Sequence, residues 1–250
     1  MRVGKKVFAA AAPVASVMVG CLVVPPVCAD EILVQNKSFE SPGNIPQGFA
    51  SLSADNWTMN GFGTFVNFPP YGPIPAGVGI YTNPLGGSTG HLNGVDASQA
   101  AYLFSNVGND ISQALVTGAS TNVAAIFQAG HQYTLTVAAA DAQSAPPGTD
   151  QLLAALYYTD GGGARHQVAQ RIISSSELSQ TAMTDFTAVS SVLGAGDPAV
   201  GQQINVQLTP LSNNGGQFDV DNVRVVPEPA SVGLIGIGIS GLLARRRSRR

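Results

Sequence analysis

Three histidines and a surplus of carboxylates are the titratable material this chain offers for chemistry. His91, His131 and His166 stand far apart, with no HExxH or His-x-His spacing that would turn two imidazoles onto one metal. There is no Gly-x-Ser-x-Gly elbow, and both cysteines, Cys21 and Cys28, fall within the first 29 residues. Hydrolase and thiol chemistry therefore lack their usual nucleophiles. Gly86-Gly87-Ser88-Thr89-Gly90 has neither the lysine nor the following helix of a phosphate loop. Two carboxylates for glycoside hydrolysis need only meet in space, about 5 to 9 Å apart, and leave no spacing signature. On this inventory the chain reads as non-enzymatic, with a glycoside-active enzyme as a distant third reading.

Binding chemistry has more to work with. A sugar face needs an aromatic platform with amides or carboxylates beside it, because pyranose C–H faces stack on rings while hydroxyls need partners. Trp57, Phe62, Tyr71 and Tyr81 share residues 48–89 with Asn60, Asn67 and Asn83. Tyr71 and Tyr81 are the candidate platform. Trp57 joins them as a ligand candidate, although a tryptophan in a β-sandwich is more often core.

The net charge of −3 hides a strong asymmetry. Residues 30–229 hold all 15 acids but only Lys37, Arg165, Arg171 and Arg224 as bases, a charge of about −11. Such a body cannot neutralise phosphates, which excludes nucleic acid and anionic membrane surfaces as partners.

The elements that must position these residues are strands. Apolar residues alternate over 131–139 and 203–209, and shorter runs of the same kind occur at 32–35, 64–68, 78–82, 100–104, 111–116, 152–159, 167–173 and 186–192. Asp160-Gly161-Gly162-Gly163 closes a hairpin between 152–159 and 167–173, and Asn213-Asn214-Gly215-Gly216 marks another turn. One short helix is expected near 174–181, capped by Ser176. So many short antiparallel strands predict an all-β, jelly-roll-like antiparallel sandwich. From Phe218 to Val225 the apolar parity switches between Val220 and Val223, which requires an extra residue and predicts a bulge at Asp221-Asn222.

Leu33-Val34-Gln35-Asn36-Lys37-Ser38-Phe39-Glu40, Trp57 with Gly61 and Gly63, Ile111-Ser112-Gln113-Ala114-Leu115 and the closing residues 218–225 follow one another in the order of landmarks in galactose-binding-like jelly rolls. The body resembles that group, which includes many carbohydrate-binding modules. The resemblance implies adjacent first and last strands, and a structural Ca²⁺ held by Glu40 and Asp221. Surplus acid with few cations to pair it is compatible with such a metal.

The two ends are addresses. A basic start, an apolar stretch over 7–24 and Val27-Cys28-Ala29 describe a signal peptide, residues 1–29, cut by signal peptidase. Both cysteines leave with it, so the mature chain has no disulfide in an oxidising compartment. The body spans 30–226. Residues 227–250 comprise Pro227-Glu228-Pro229, an apolar run over 230–244 and a cluster containing Arg245, Arg246 and Arg247. That run makes about 22 Å of helix against a hydrocarbon core of about 30 Å, a marginal span with the arginines cytoplasmic.

This tail resembles the PEP-CTERM sorting signal of Gram-negative bacteria. It implies transient anchoring in the inner membrane, recognition by exosortase and release to the cell surface or extracellular matrix. It gives the membrane no other role. The whole reads as an exported, non-enzymatic matrix or surface protein that binds exopolysaccharide through its sandwich. The alternative is a purely structural coat protein with no small ligand.

Overall fold

Period-two patterning becomes sixteen strands in the computed structural model, which describes residues 32–43, 45, 48–50, 54–61, 65–68, 72–75, 77–105, 108–117, 123–141, 149–212 and 216–229. They are β1 (Ile32–Leu33), β2 (Gly48–Ala50), β3 (Thr58–Asn60), β4 (Phe65–Phe68), β5 (Gly72–Pro75), β6 (Val78–Thr82), β7 (Gln99–Phe104) and β8 (Asp110–Ala114). The second half adds β9 (Val116–Thr117), β10 (Val123–Ala124), β11 (His131–Ala140), β12 (Gln151–Thr159), β13 (Arg165–Ser174), β14 (Thr184–Val189), β15 (Asn205–Pro210) and β16 (Gln217–Pro229). Tyr71, the residues 213–215 and Arg245, Arg246 and Arg247 lie outside the described residues, as do Cys21 and Cys28.

Two antiparallel sheets make the expected sandwich. The front sheet runs β14-β11-β16-β7-β6-β2 and the back sheet β13-β12-β15-β8-β3, with a small β1-β9-β10 sheet and a β4-β5 hairpin beside them. Val78, Ile80, Leu103, Leu135, Val137, Phe218 and Val220 of the front sheet meet Ile111, Leu152, Leu156, Val206 and Leu208 of the back sheet in one core. Alternation puts these residues inside and their neighbours outside, as period two demands.

Three local expectations can be compared with the structure. Asp160 closes the β12–β13 hairpin, its Oδ1 accepting from Gly162 N and Ala164 N at 2.9 Å each. The bulge is present: Thr136 faces Arg224 and Ala138 faces Asp221, so β16 carries one residue more than β11, and Asn222 takes φ 46°. The helix near 174–181 shrinks to a 3₁₀ turn, Ser175–Glu177, and its cap is Ser174, not Ser176. Ser174 and Glu177 form a reciprocal capping box, and the tight hydrogen bonding of β13 up to Ser174 fixes where the turn begins.

Candidate functional site

Strand β7 reads Gln-Ala-Ala-Tyr-Leu-Phe and is buried at all six positions, so both faces of the front sheet are covered here. Ala101 and Leu103 face the core. Ala100, Tyr102 and Phe104 face outward into a second apolar cluster with Tyr81, Leu92 and Ala140, with Val95 and Met183 packed against it. Into this outer cluster β16 introduces two polar side chains. Asp219 lies opposite Tyr102, and Gln217 opposite Phe104. On its other side Asp219 faces Ala140 of β11.

Asp219 and Tyr102 are both fully buried, and Gln217 Nε2 donates to Asp219 Oδ1 at 2.6 Å. A carboxylate only accepts, so the amide nitrogen must face it. Gln217 Oε1 then points away, buried and without a partner. Burial pushes the Tyr102 hydroxyl above its ordinary value, so it stays protonated.

A loop over residues 83–98 covers this face, pinned at both ends. Asn83 exchanges hydrogen bonds with Leu92 N and O at 2.9 Å, and His91 Nδ1 lies 2.6 Å from the Pro84 carbonyl. Asn93 N donates to Thr181 O and receives Met183 N on its own carbonyl, at 2.9 and 2.8 Å. At the far end, Glu40 Oε1 accepts from Ser98 N and Gln99 N at 2.8 and 2.5 Å, and Asp221 Oδ2 accepts from Asp96 N at 2.5 Å.

The structure thus brings Glu40 and Asp221 to one corner, joined by Asp96. Asp221 is fully buried. Burial, followed by the charges of Asp96 and Glu40, pushes its carboxyl up to about 7, against the lowering effect of the Asp96 and Asn222 amides. Asn36, Phe39, Ala97 and Asn222 all have positive φ around this corner, backbone strain of the kind that clusters at functional positions. Asn222 Oδ1 is buried without a partner. Among the described residues no three His, Cys, Asp or Glu side chains converge to hold a metal, so a hard cation here would draw on backbone and amide oxygens beside Glu40 and Asp221. That oxygen-only donor set fits Ca²⁺.

Of the aromatic candidates, Tyr81 is buried in the outer cluster. Trp57 is a core ring: it packs 5.0 Å from Phe39, and its Nε1 donates to the Asn36 carbonyl at 3.0 Å. It offers no exposed platform. Neither Asp219 nor Tyr102 was singled out from sequence, although apolar residues on both parities of β7 were the available signal.

The HpiC1-like family, described as HpiC1 cyclase, matches residues 30–226. The chain belongs to the HpiC1 cyclase family. This overturns the non-enzymatic, polysaccharide-binding expectation: a jelly-roll sandwich with no familiar catalytic motif is here the body of a cyclase family. The PEP-CTERM protein-sorting motif matches residues 225–250, so the chain carries the signal for export and exosortase processing to the surface or beyond.

No curated protein matches the sequence. Among solved structures, a cyclase from Fischerella sp. TAU in complex with 4-(1H-indol-3-yl)butan-2-one shares 20% identity at a TM-score of 0.57, covering 81% of this chain and 99% of that one. The Stig cyclase Fisc, with (3Z)-3-(1-methyl-2-pyrrolidinylidene)-3H-indole, shares 19% at 0.56, covering 80% and 98%. At that identity the likeness shows a common fold.

Proposed function

We propose that the exported body is a cyclase whose substrate sits on the outer face of the front sheet, with Asp219 moving the proton. One observation carries the reading: a buried carboxylate stands directly across from a buried tyrosine in an otherwise apolar patch of a cyclase-family sandwich. Ring closure within one molecule conserves atoms, so a single proton donor and acceptor suffices. Asp219 protonates an unsaturated carbon of the substrate, and the electron-poor centre so formed is attacked by a second π bond of the same molecule, which makes the new ring bond. A neighbouring C–H then returns a proton to Asp219, and its electron pair becomes the new double bond.

Tyr102 and Tyr81 supply ring faces that favour a cationic centre. The covering loop keeps out water that would quench it. The indole compounds held by the Fischerella cyclases make indole-bearing molecules the first substrates to try.

A structural Ca²⁺ between Glu40 and Asp221 belongs to the same reading. It would pin the 96–99 end of the covering loop, and no reaction step passes through it. The precursor would be held briefly in the inner membrane by residues 230–250 before release. The deciding experiment is turnover of an indole-bearing panel by wild type and Asp219→Asn. Conversion that persists unchanged in the variant refutes Asp219 as the proton carrier.

A further inference from the structure

The sorting triplet is part of the folded sheet. Strand β16 continues through Pro227-Glu228-Pro229, which lie opposite Tyr133, Gln132 and His131 of β11. A strand tolerates two such prolines only where their missing N–H groups face away from the partner. The hydrogen bonds show that they do. Ser190 N donates to the Tyr133 carbonyl at 2.9 Å, and Leu193 N to the His131 carbonyl at 2.9 Å. The main-chain groups of His131 and Tyr133 therefore point away from β16, and Pro229 and Pro227 occupy non-hydrogen-bonded pairs. Their nitrogens face the far edge of β16, which β7 pairs with only at residues 217–220.

The strand is held unevenly. Val223 and Val225 belong to the core, whereas Val226 is 51% exposed. Past Val225 the main-chain bonding to β11 comes from the pairs Thr134 with Val226 and Gln132 with Glu228, with a 3.4 Å contact from Thr134 Oγ1 to Glu228 Oε1, while Ile32 of β1 borders the same cleft as Val226, Pro227 and Pro229. The apolar run begins at Ala230, so no linker separates the triplet from the tail.

We propose that the sheet masks the exosortase site, and that residues 226–229 must peel from β11 before the tail is processed, with Val225 as the point where peeling stops. The inference rests on the sorting motif and is independent of the cyclase reading. Proteins that grip a peptide in extended form do so through its main-chain edge. In the folded chain one edge of the triplet is taken by β11, and the other has no donor at 227 or 229. Peeling four residues frees about 13 Å of chain at about 3.3 Å each and moves none of the core side chains that β16 itself contributes. The prolines make this the least bonded part of β16, because they offer no N–H to a strand on the side away from β11.

Two measurements test it. Hydrogen exchange on the full precursor in detergent should show the Val226 and Glu228 amides, which face β11, exchanging at least about 100-fold faster than Val220. Equal protection would mean the strand end opens only with the whole fold, and overturns the proposal. In cells carrying the cognate exosortase, Thr134→Cys with Val226→Cys places two cysteines directly opposite in the ladder, and residues 30–250 contain no other. Processing of the cross-linked precursor should slow by about tenfold or more and recover on reduction. Processing at the wild-type rate while the bond is intact overturns the proposal. Equal slowing in either single-cysteine chain also overturns it.

Discussion

Asp219 lies directly across the β16–β7 ladder from Tyr102, and neither side chain has any exposure to solvent. Directly opposed residues on one sheet face hold their Cβ atoms about 5 Å apart, close enough for one small substrate to touch both. Asp219→Asn keeps the shape and the Gln217 contact while removing the proton, so turnover should fall by about 10² to 10⁴-fold with an unchanged unfolding midpoint. Tyr102→Phe removes only a hydroxyl donor and should cost far less. An equal loss in both variants would mean that Asp219 does not carry the proton alone.

Gln217 is a positioning residue. Its amide donates to Asp219 Oδ1 at 2.6 Å, which fixes the orientation of the carboxyl group. Gln217→Leu should lower kcat with little change in KM, because the carboxyl loses the bond that orients it. A purely structural role predicts a lower unfolding midpoint with kcat unchanged at temperatures where the fold persists. Rescue by Gln217→Asn is not expected, since the shorter side chain cannot reach along the strand.

Sequence alternation was enough to find the sandwich, the Asp160 hairpin and the Asp221-Asn222 bulge, because each depends on local parity or turn chemistry. It also placed Glu40 and Asp221 together, through their order in a resemblance. The site was hidden for a physical reason. Proton transfer inside a ring-closing enzyme needs one carboxyl in a dry patch, and the dryness of Asp219 comes from Tyr102 and Ala140 on other strands and from Leu92 on a distant loop. Nothing within five residues of Asp219 encodes that. Tyr81 and Trp57 share a loop-rich stretch whose sequence does not say which rings are exposed; packing in the outer cluster and against Phe39 buries both.

Trp57 gives a control that separates core from site. It is 5% exposed and donates to the Asn36 carbonyl. Trp57→Ala should destabilise the fold by about 3–5 kcal/mol. Trp57→Phe keeps most of the ring and leaves the Asn36 carbonyl its bond from Phe39 N at 3.0 Å, so the lost indole bond should cost only about 1 kcal/mol. Chemical denaturation measures both. In Trp57→Phe at low temperature, where the fold persists, substrate KM should match wild type; a raised KM would mean the ring touches substrate after all.

The acid corner makes a signed prediction about pH and Ca²⁺. Asp221 is held at about 7 in the folded chain against 3.8 for the ordinary group, burial being the main cause. Between pH 4 and 7 the unfolded chain has released this proton and the folded chain keeps it, so the folded state binds more protons. Stability contributed by Asp221 is therefore full below about pH 4, declines as pH rises, and is gone above about pH 7, a change on the order of 4 kcal/mol at most. With chelator present the midpoint should fall across that window, and Asp221→Asn should flatten the curve. A bound Ca²⁺ displaces the proton and favours the ionised carboxyl, so its stabilising effect should be larger at pH 8 than at pH 5. Thermal unfolding over this pH range, with Ca²⁺ and with chelator, reads both effects. A curve that is flat in wild type, or a Ca²⁺ effect that survives in Glu40→Ala and Asp221→Asn alike, would show that the corner is held by its amide contacts alone.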